Sequence, residues 1–118
     1  MDPRVVQAIN LLSEDLSLHI NFETLARSVN LSSSRMRHLF KEQVGMTPAQ
    51  YLKMLRIKRA RDLLEKSFLR LKEVISRVGL SDESHFVNDF KKIHGLPPIR
   101  YRQHYQKHSN KVANRANK

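Results

Sequence analysis

Residues 40–51 read FKEQVGMTPAQY and residues 90–101 read FKKIHGLPPIRY. The phrases share Phe, Lys, Gly, Pro and Tyr at matching positions, in a chain of 118 residues that holds only 3 glycines and 4 prolines. The match extends outward. Upstream, FETLARSVNLS (22–32) lies over LKEVISRVGLS (71–81), pairing Leu25 with Val74, Val29 with Val78, Leu31 with Leu80 and Ser32 with Ser81. Asn30 pairs with Gly79. These two residue types adopt the left-handed backbone conformation most readily, which ends a helix and turns the chain sharply into the next. With one extra residue after the turn, Ser34 pairs with Ser84, His38 with Asn88, Phe40 with Phe90, Lys41 with Lys91, Gly45 with Gly95, Pro48 with Pro98 and Tyr51 with Tyr101. The chain reads as two copies of a helix-turn-helix.

Helical periodicity covers the rest. Asp2-Pro3 is a cap followed by a first-turn proline, and Val5, Val6, Ile9, Leu12 and Leu16 recur at helical spacing to about Asp15. Asn21 caps a short second helix. Ser32 or Ser33 opens a third, which points Met36, Leu39, Phe40 and Val44 inward and stops at Gly45. Thr47-Pro48 starts the longest helix, to about Lys66, with Tyr51, Leu52, Leu55, Leu63 and Leu64 as its apolar residues. At about 20 residues it is about 30 Å long, comparable to the ~34 Å between equivalent points of a DNA groove one turn apart. A short helix near Leu71 to Val78, another from about Asp82 to His94 and a last short one opened by Pro97-Pro98 repeat the series. The expected fold is all-α: about seven helices, forming two helix-turn-helix subdomains (1–46 and 67–106) joined by a long linker helix (47–66), with a disordered basic tail (107–118).

Charge indicates the class of partner. There are 22 Lys and Arg against 11 Asp and Glu, a formal +11. The excess falls in two blocks, one from Arg35 to Arg61 with Glu42 as its single acid, the other from Lys91 to the end with no acid. Two basic blocks a repeat apart suit two contact points on a polyanion. There is no cysteine, hence no thiolate metal site, cysteine nucleophile or disulfide framework. No apolar run is long enough to span a bilayer, and MDPRVVQAIN lacks the layout of a signal peptide, so the expected location is the cytoplasm. His104 and His108 stand one helical turn apart without cysteine or a carboxylate pair nearby. No metal, cofactor or catalytic constellation is expected, and the chain is not read as an enzyme.

A short helix, a tight turn and a second helix with a polar, basic outer face match the unit that lays its second helix in the DNA major groove. The second copy, Phe86-x-x-x-Phe90-Lys91-Lys92-x-x-Gly95-x-x-Pro98-x-x-Tyr101-Arg102, preceded by Val78-Gly79-Leu80-Ser81-Asp82, closely resembles the signature of the AraC/XylS family of bacterial transcription regulators. The resemblance covers about residues 3–105. It implies two helix-turn-helix subdomains on a linker helix, sequence-specific binding to double-stranded DNA, and activation of transcription with RNA polymerase as a second partner. Base contacts in such proteins come from the exposed faces of the two recognition helices, which implies Ser34, Arg37 and His38 in the first and Ser84, His85 and Asn88 in the second.

Arg37 suits two hydrogen bonds to O6 and N7 of guanine, and Asn88 suits the adenine edge. His38, His85, Ser34 and Ser84 reach either a base or a phosphate. Arg35, Lys41, Lys91, Lys92 and Arg102 form the expected phosphate set, which sets register without reading sequence. The second copy departs from the first. Ile75 stands where the first has Ala26, Arg70 replaces the capping Asn21, and Asp82, Glu83 and Asp89 flank its recognition helix. One monomer is expected to cover two successive major grooves of an asymmetric site. Two alternatives are a DNA-binding fragment of a larger ligand-sensing regulator and a nonspecific nucleic-acid packaging protein.

Overall fold

The computed structural model describes the backbone of residues 1–116 and the side chains through Ser109. Among the described residues there are seven α-helices and no strand: α1 (Pro3–Glu14), α2 (Phe22–Ser28), α3 (Ser33–Val44), α4 (Pro48–Lys66), α5 (Leu71–Arg77), α6 (Glu83–His94) and α7 (Pro98–Ala116). They form two compact units, Met1–Arg56 and Ile57–Lys118. The division falls inside α4. The helix expected as a linker therefore supplies Leu52 to the first core and Ile57, Ala60 and Leu64 to the second.

That division extends the repeat beyond what the sequence match revealed. In the first unit α1 buries Val5, Ala8 and Leu12, while in the second α4 buries Ile57, Ala60 and Leu64 at the same three- and four-residue steps. The second unit borrows its first helix from the end of α4. Val6, expected on the apolar stripe, is 42% exposed, because the stripe turns through Ala8 instead. A small side chain at Ala8 is as buried as its large neighbours, and hydrophobicity alone undervalues it.

Local chemistry explains the helix ends. Asp2 Oδ1 accepts from the Arg4 N–H at 2.8 Å, Asn21 Oδ1 from Thr24 at 3.1 Å, Ser32 Oγ from Arg35 at 3.1 Å and Asp82 Oδ1 from His85 at 2.9 Å. Each satisfies one donor that the first turn leaves unpaired. Thr47 and Gln50 cap α4 reciprocally: Thr47 Oγ1 accepts from the Gln50 N–H at 3.2 Å and Gln50 Oε1 from the Thr47 N–H at 3.0 Å. Arg70 carries no acceptor, and only the return half of that box forms at α5, where Glu73 Oε1 accepts from the Arg70 N–H at 3.3 Å.

The two turns are built alike. Asn30 has φ +61° and Gly79 φ +81°. The Leu31 N–H donates to the Ala26 carbonyl at 2.9 Å, and the Leu80 N–H to the Ile75 carbonyl at 3.0 Å. A left-handed residue between two short helices, closed by a six-residue bond, fixes the bend of each helix-turn-helix. Ala26 and Ile75 are both buried at that bend, so the second unit accommodates the larger side chain without losing the turn.

One boundary differs from expectation. The segment read as a disordered tail after residue 106 continues as helix, since α7 runs to Ala116. No glycine or proline follows Pro98, and half-buried Tyr101, Arg102, Tyr105, Gln106 and Ser109 recur at helical steps on one stripe. The low apolar content hid that stripe. Residues 117–118 lie outside the described residues.

Candidate nucleic-acid interface

The recognition helices present their faces as the repeat requires. In α3, Met36, Leu39 and Phe40 are buried, which leaves Ser34, Arg37, His38 and Lys41 exposed at steps of three and four, with Arg35 exposed beside them. In α6, Phe86 and Phe90 are buried, and Ser84, His85, Asn88, Lys91 and Lys92 are exposed. Ten of the eleven side chains singled out in the sequence thus lie on the outer faces of α3 and α6. Core burial aims them, because a helix that seats two or three large apolar residues has only its opposite side left for ligands.

Both faces are open to a ligand. The His38 Nε2 to Glu42 Oε2 and His85 Nδ1 to Asp82 Oδ2 distances, 3.9 and 3.5 Å, are those of loose surface pairs between exposed side chains. Such pairs contribute little and yield readily to a phosphate or a base edge. The faces differ in chemistry. Arg37 in α3 has its counterpart at Val87, which is half-buried, so α6 presents no guanidinium among its candidate base contacts.

Arg102, the eleventh, is placed differently. Its Nε donates to the Leu64 carbonyl at 2.9 Å and its Nη1 to the Leu69 carbonyl at 2.6 Å. The group ties α7 to the end of α4 and to the α4–α5 connection, and desolvation lowers its pKa from the ordinary arginine value. Arg56 does the same in the first unit. Its Nε donates to Leu16 at 3.0 Å and its Nη2 to Leu18 at 2.8 Å, tying α4 to the α1–α2 connection. Two of the five guanidinium N–H donors of Arg102 are thus spent on backbone carbonyls within its own unit, which sets it apart from the exposed basic side chains of α3 and α6. Nothing in the sequence separates a clasping arginine from an exposed one. Arg56 and Arg102 do not even align in the repeat.

Among the described residues no helix is long and apolar enough to cross a membrane. No group of three or more metal-ligating side chains comes together among them either, and His104 and His108 are exposed.

A family model described as a helix-turn-helix domain matches residues 25–104. The arabinose operon regulatory protein of Salmonella typhimurium is 34% identical over 103 residues, covering 86% of this chain and 37% of the relative. The HTH-type transcriptional activator RhaS of Escherichia coli is 33% identical over 99 residues, covering 80% and 36%. The chain spans little more than a third of the length of these curated relatives. Among solved structures, the DNA-binding domain of AdpA, a global transcriptional factor in complex with a target DNA, matches with a TM-score of 0.83 at 27% identity, covering 89% of this chain and 95% of that one. The C-terminal domain of AraT, a response regulator from Geobacillus stearothermophilus, matches at 0.79 and 27%, covering 86% and 85%.

Proposed function

Since the chain belongs to the AraC/XylS family of helix-turn-helix DNA-binding domains, we propose that it activates transcription by binding one asymmetric DNA site as a monomer, one unit in each of two successive major grooves. One observation carries the reading: a single chain holds two recognition helices whose exposed faces differ. Two like faces would suit a palindrome read by a dimer, whereas two unlike faces suit two unlike elements.

In this reading Arg37 reads a guanine and Asn88 an adenine edge, while Ser34, His38, Ser84 and His85 make the shorter-range or water-bridged contacts. Arg35, Lys41, Lys91 and Lys92 hold phosphates and set the register. The site is roughly 20 base pairs long, with two short elements about 10 base pairs apart. RNA polymerase is the second partner of an activator so placed. A second reading, in which the same domain serves a longer ligand-sensing regulator, is favoured by the share of the curated relatives that it spans. The size of the native protein on an immunoblot separates the two, and the DNA contacts are the same in both.

The test is spacing. Once the preferred sequence is selected from a random duplex library, inserting about 5 base pairs between the elements turns the second to the opposite face of the duplex. Affinity then falls to what one unit holds. Undiminished affinity after the insertion, or two protomers on a palindromic site, would defeat the bipartite monomer.

A further inference from the structure

One turn beyond Phe40 and Phe90 stand Val44 and His94. Val44 packs with Ile9 and Tyr51 against the first core. In the second unit the His94 ring lies 4.6 Å from the Phe90 ring and 5.9 Å from the Tyr101 ring, centroid to centroid. Its Nε2 is buried and has no hydrogen-bond partner among the described residues. Matching the buried residues of α1 to those of α4 sets Arg61 over Ile9 and Glu65 over Ser13. The second unit thus holds a histidine and an ion pair where the first holds aliphatic side chains and a serine.

The charged groups acting on the imidazole are Arg61 and Glu65, both from α4. From α7 comes Tyr101, whose hydroxyl donates to Glu65 Oε2 at 2.8 Å, with Tyr105 stacked against it at 6.4 Å. Arg61 Nε lies 3.8 Å from the same carboxylate oxygen. A neutral imidazole suits this site. A second proton would place a cation in a partly desolvated site beside the Arg61 guanidinium, and Glu65, the carboxylate that favours it, already serves Tyr101 and Arg61.

Burial first and Arg61 second hold His94 below the ordinary histidine value, against the weaker pull of Glu65. The sign follows. A site that resists the proton when folded and accepts it freely when unfolded lends its full stability above about pH 6.5, and loses it as pH falls from there toward the folded value.

We infer that proton uptake at His94 loosens the second helix-turn-helix unit and leaves the first in place, so that acidification withdraws the second recognition helix from DNA. The DNA half of this statement rests on the function proposed above. His94 ends α6, the helix that carries Ser84, His85 and Asn88. A unit with so small a core has little stability to spare, so a local loss reaches the binding face.

The test compares wild type with His94→Leu, which fills the ring's place with a neutral side chain, and with His94→Gln should the leucine variant fail to fold. NMR titration of wild type is expected to find His94 protonating below the ordinary value. Amide exchange, corrected for intrinsic rates, at about pH 7.5 and about pH 5.5 should show opening of the second unit rising several-fold in wild type, little change in the first, and little in either unit of the variant. Hydroxyl-radical footprints should show the second element alone losing protection at the lower pH, in wild type only. The variant is essential because it separates His94 from the other five histidines of the chain. An ordinary or raised His94 value, loosening of both units together, or a variant as acid-sensitive as wild type overturns the inference. Absence of any footprint even near neutrality refutes the DNA reading, and the exchange and titration still judge the proton-linked opening, since neither uses DNA.

Discussion

Beside the tyrosine that both units share, Tyr51 in the first and Tyr101 in the second, the first unit sets Val44 and Ile9, whereas the second sets His94, Arg61 and a part-buried bond from Tyr101 to Glu65. Around these interiors the frame is repeated closely. The bonds that close the two turns differ by only 0.1 Å in length, and from residues 41–50 to residues 91–100 exposure follows the same order position by position. What must be kept is a left-handed residue at the turn, a large aromatic at Phe40 or Phe90, and a glycine and a proline where α3 and α6 give way to the next helix. The chemistry around Ala26 and Ile75, Asn21 and Arg70, or Val44 and His94 is free to diverge once those are present. The units therefore share a fold and differ in chemistry, one with the side-chain cap at Asn21 and the exposed Arg37, the other with His94 beside Arg61 and Tyr101.

Truncating the paired core aromatics tests whether the frames are equivalent. Phe40→Ala and Phe90→Ala each remove a fully buried ring and should each destabilise by about 3–5 kcal/mol in denaturant unfolding. A cost for one several times that for the other would mean that the repeat in backbone is not a repeat in energetics. Exchanging the residues at the bend comes next. Ala26→Ile crowds a site built for a methyl group and should cost about 1–3 kcal/mol, while Ile75→Ala empties one built for a butyl group and should cost about 2–4 kcal/mol. If Ala26→Ile is neutral in the same unfolding experiment, the two bends are interchangeable and the comparison loses one of its terms.

On DNA the comparison is one of readout. Arg37→Ala should weaken binding to the preferred duplex by about 1–3 kcal/mol and relax selection at one base pair, Asn88→Ala should cost less, and Lys41→Ala should weaken all duplexes alike. Titrations against preferred and random duplexes check this, and equal losses on both for Arg37→Ala would make it a phosphate contact. The smallest effects belong to the caps. Asn21→Ala should cost about 1 kcal/mol and Arg70→Asn should stabilise the second unit by roughly 0.5–1 kcal/mol, both read from denaturation midpoints. A destabilised Arg70→Asn would mean that the stem of Arg70 contributes packing that the missing cap conceals.

The sequence by itself determined the helical class, the two turns and the faces of α3 and α6. These depend on local rules. Asn30 and Gly79 mark a backbone conformation that few other residues adopt, Ser32 and Asp82 mark helix starts by offering an acceptor to the first turn, and the spacing of Met36, Leu39 and Phe40 leaves Arg37 and His38 no side but the outer one. Only the tertiary structure decided where α4 passes from one core to the other, that Arg102 faces inward while Lys91 faces out, that α7 continues to Ala116, and that His94 sits beside Arg61 and Tyr101. Each of those depends on what another helix brings to the same place. A guanidinium, an imidazole or an alanine looks the same in a sequence whether its neighbour is water or a carbonyl thirty residues away, and packing alone supplies the neighbour.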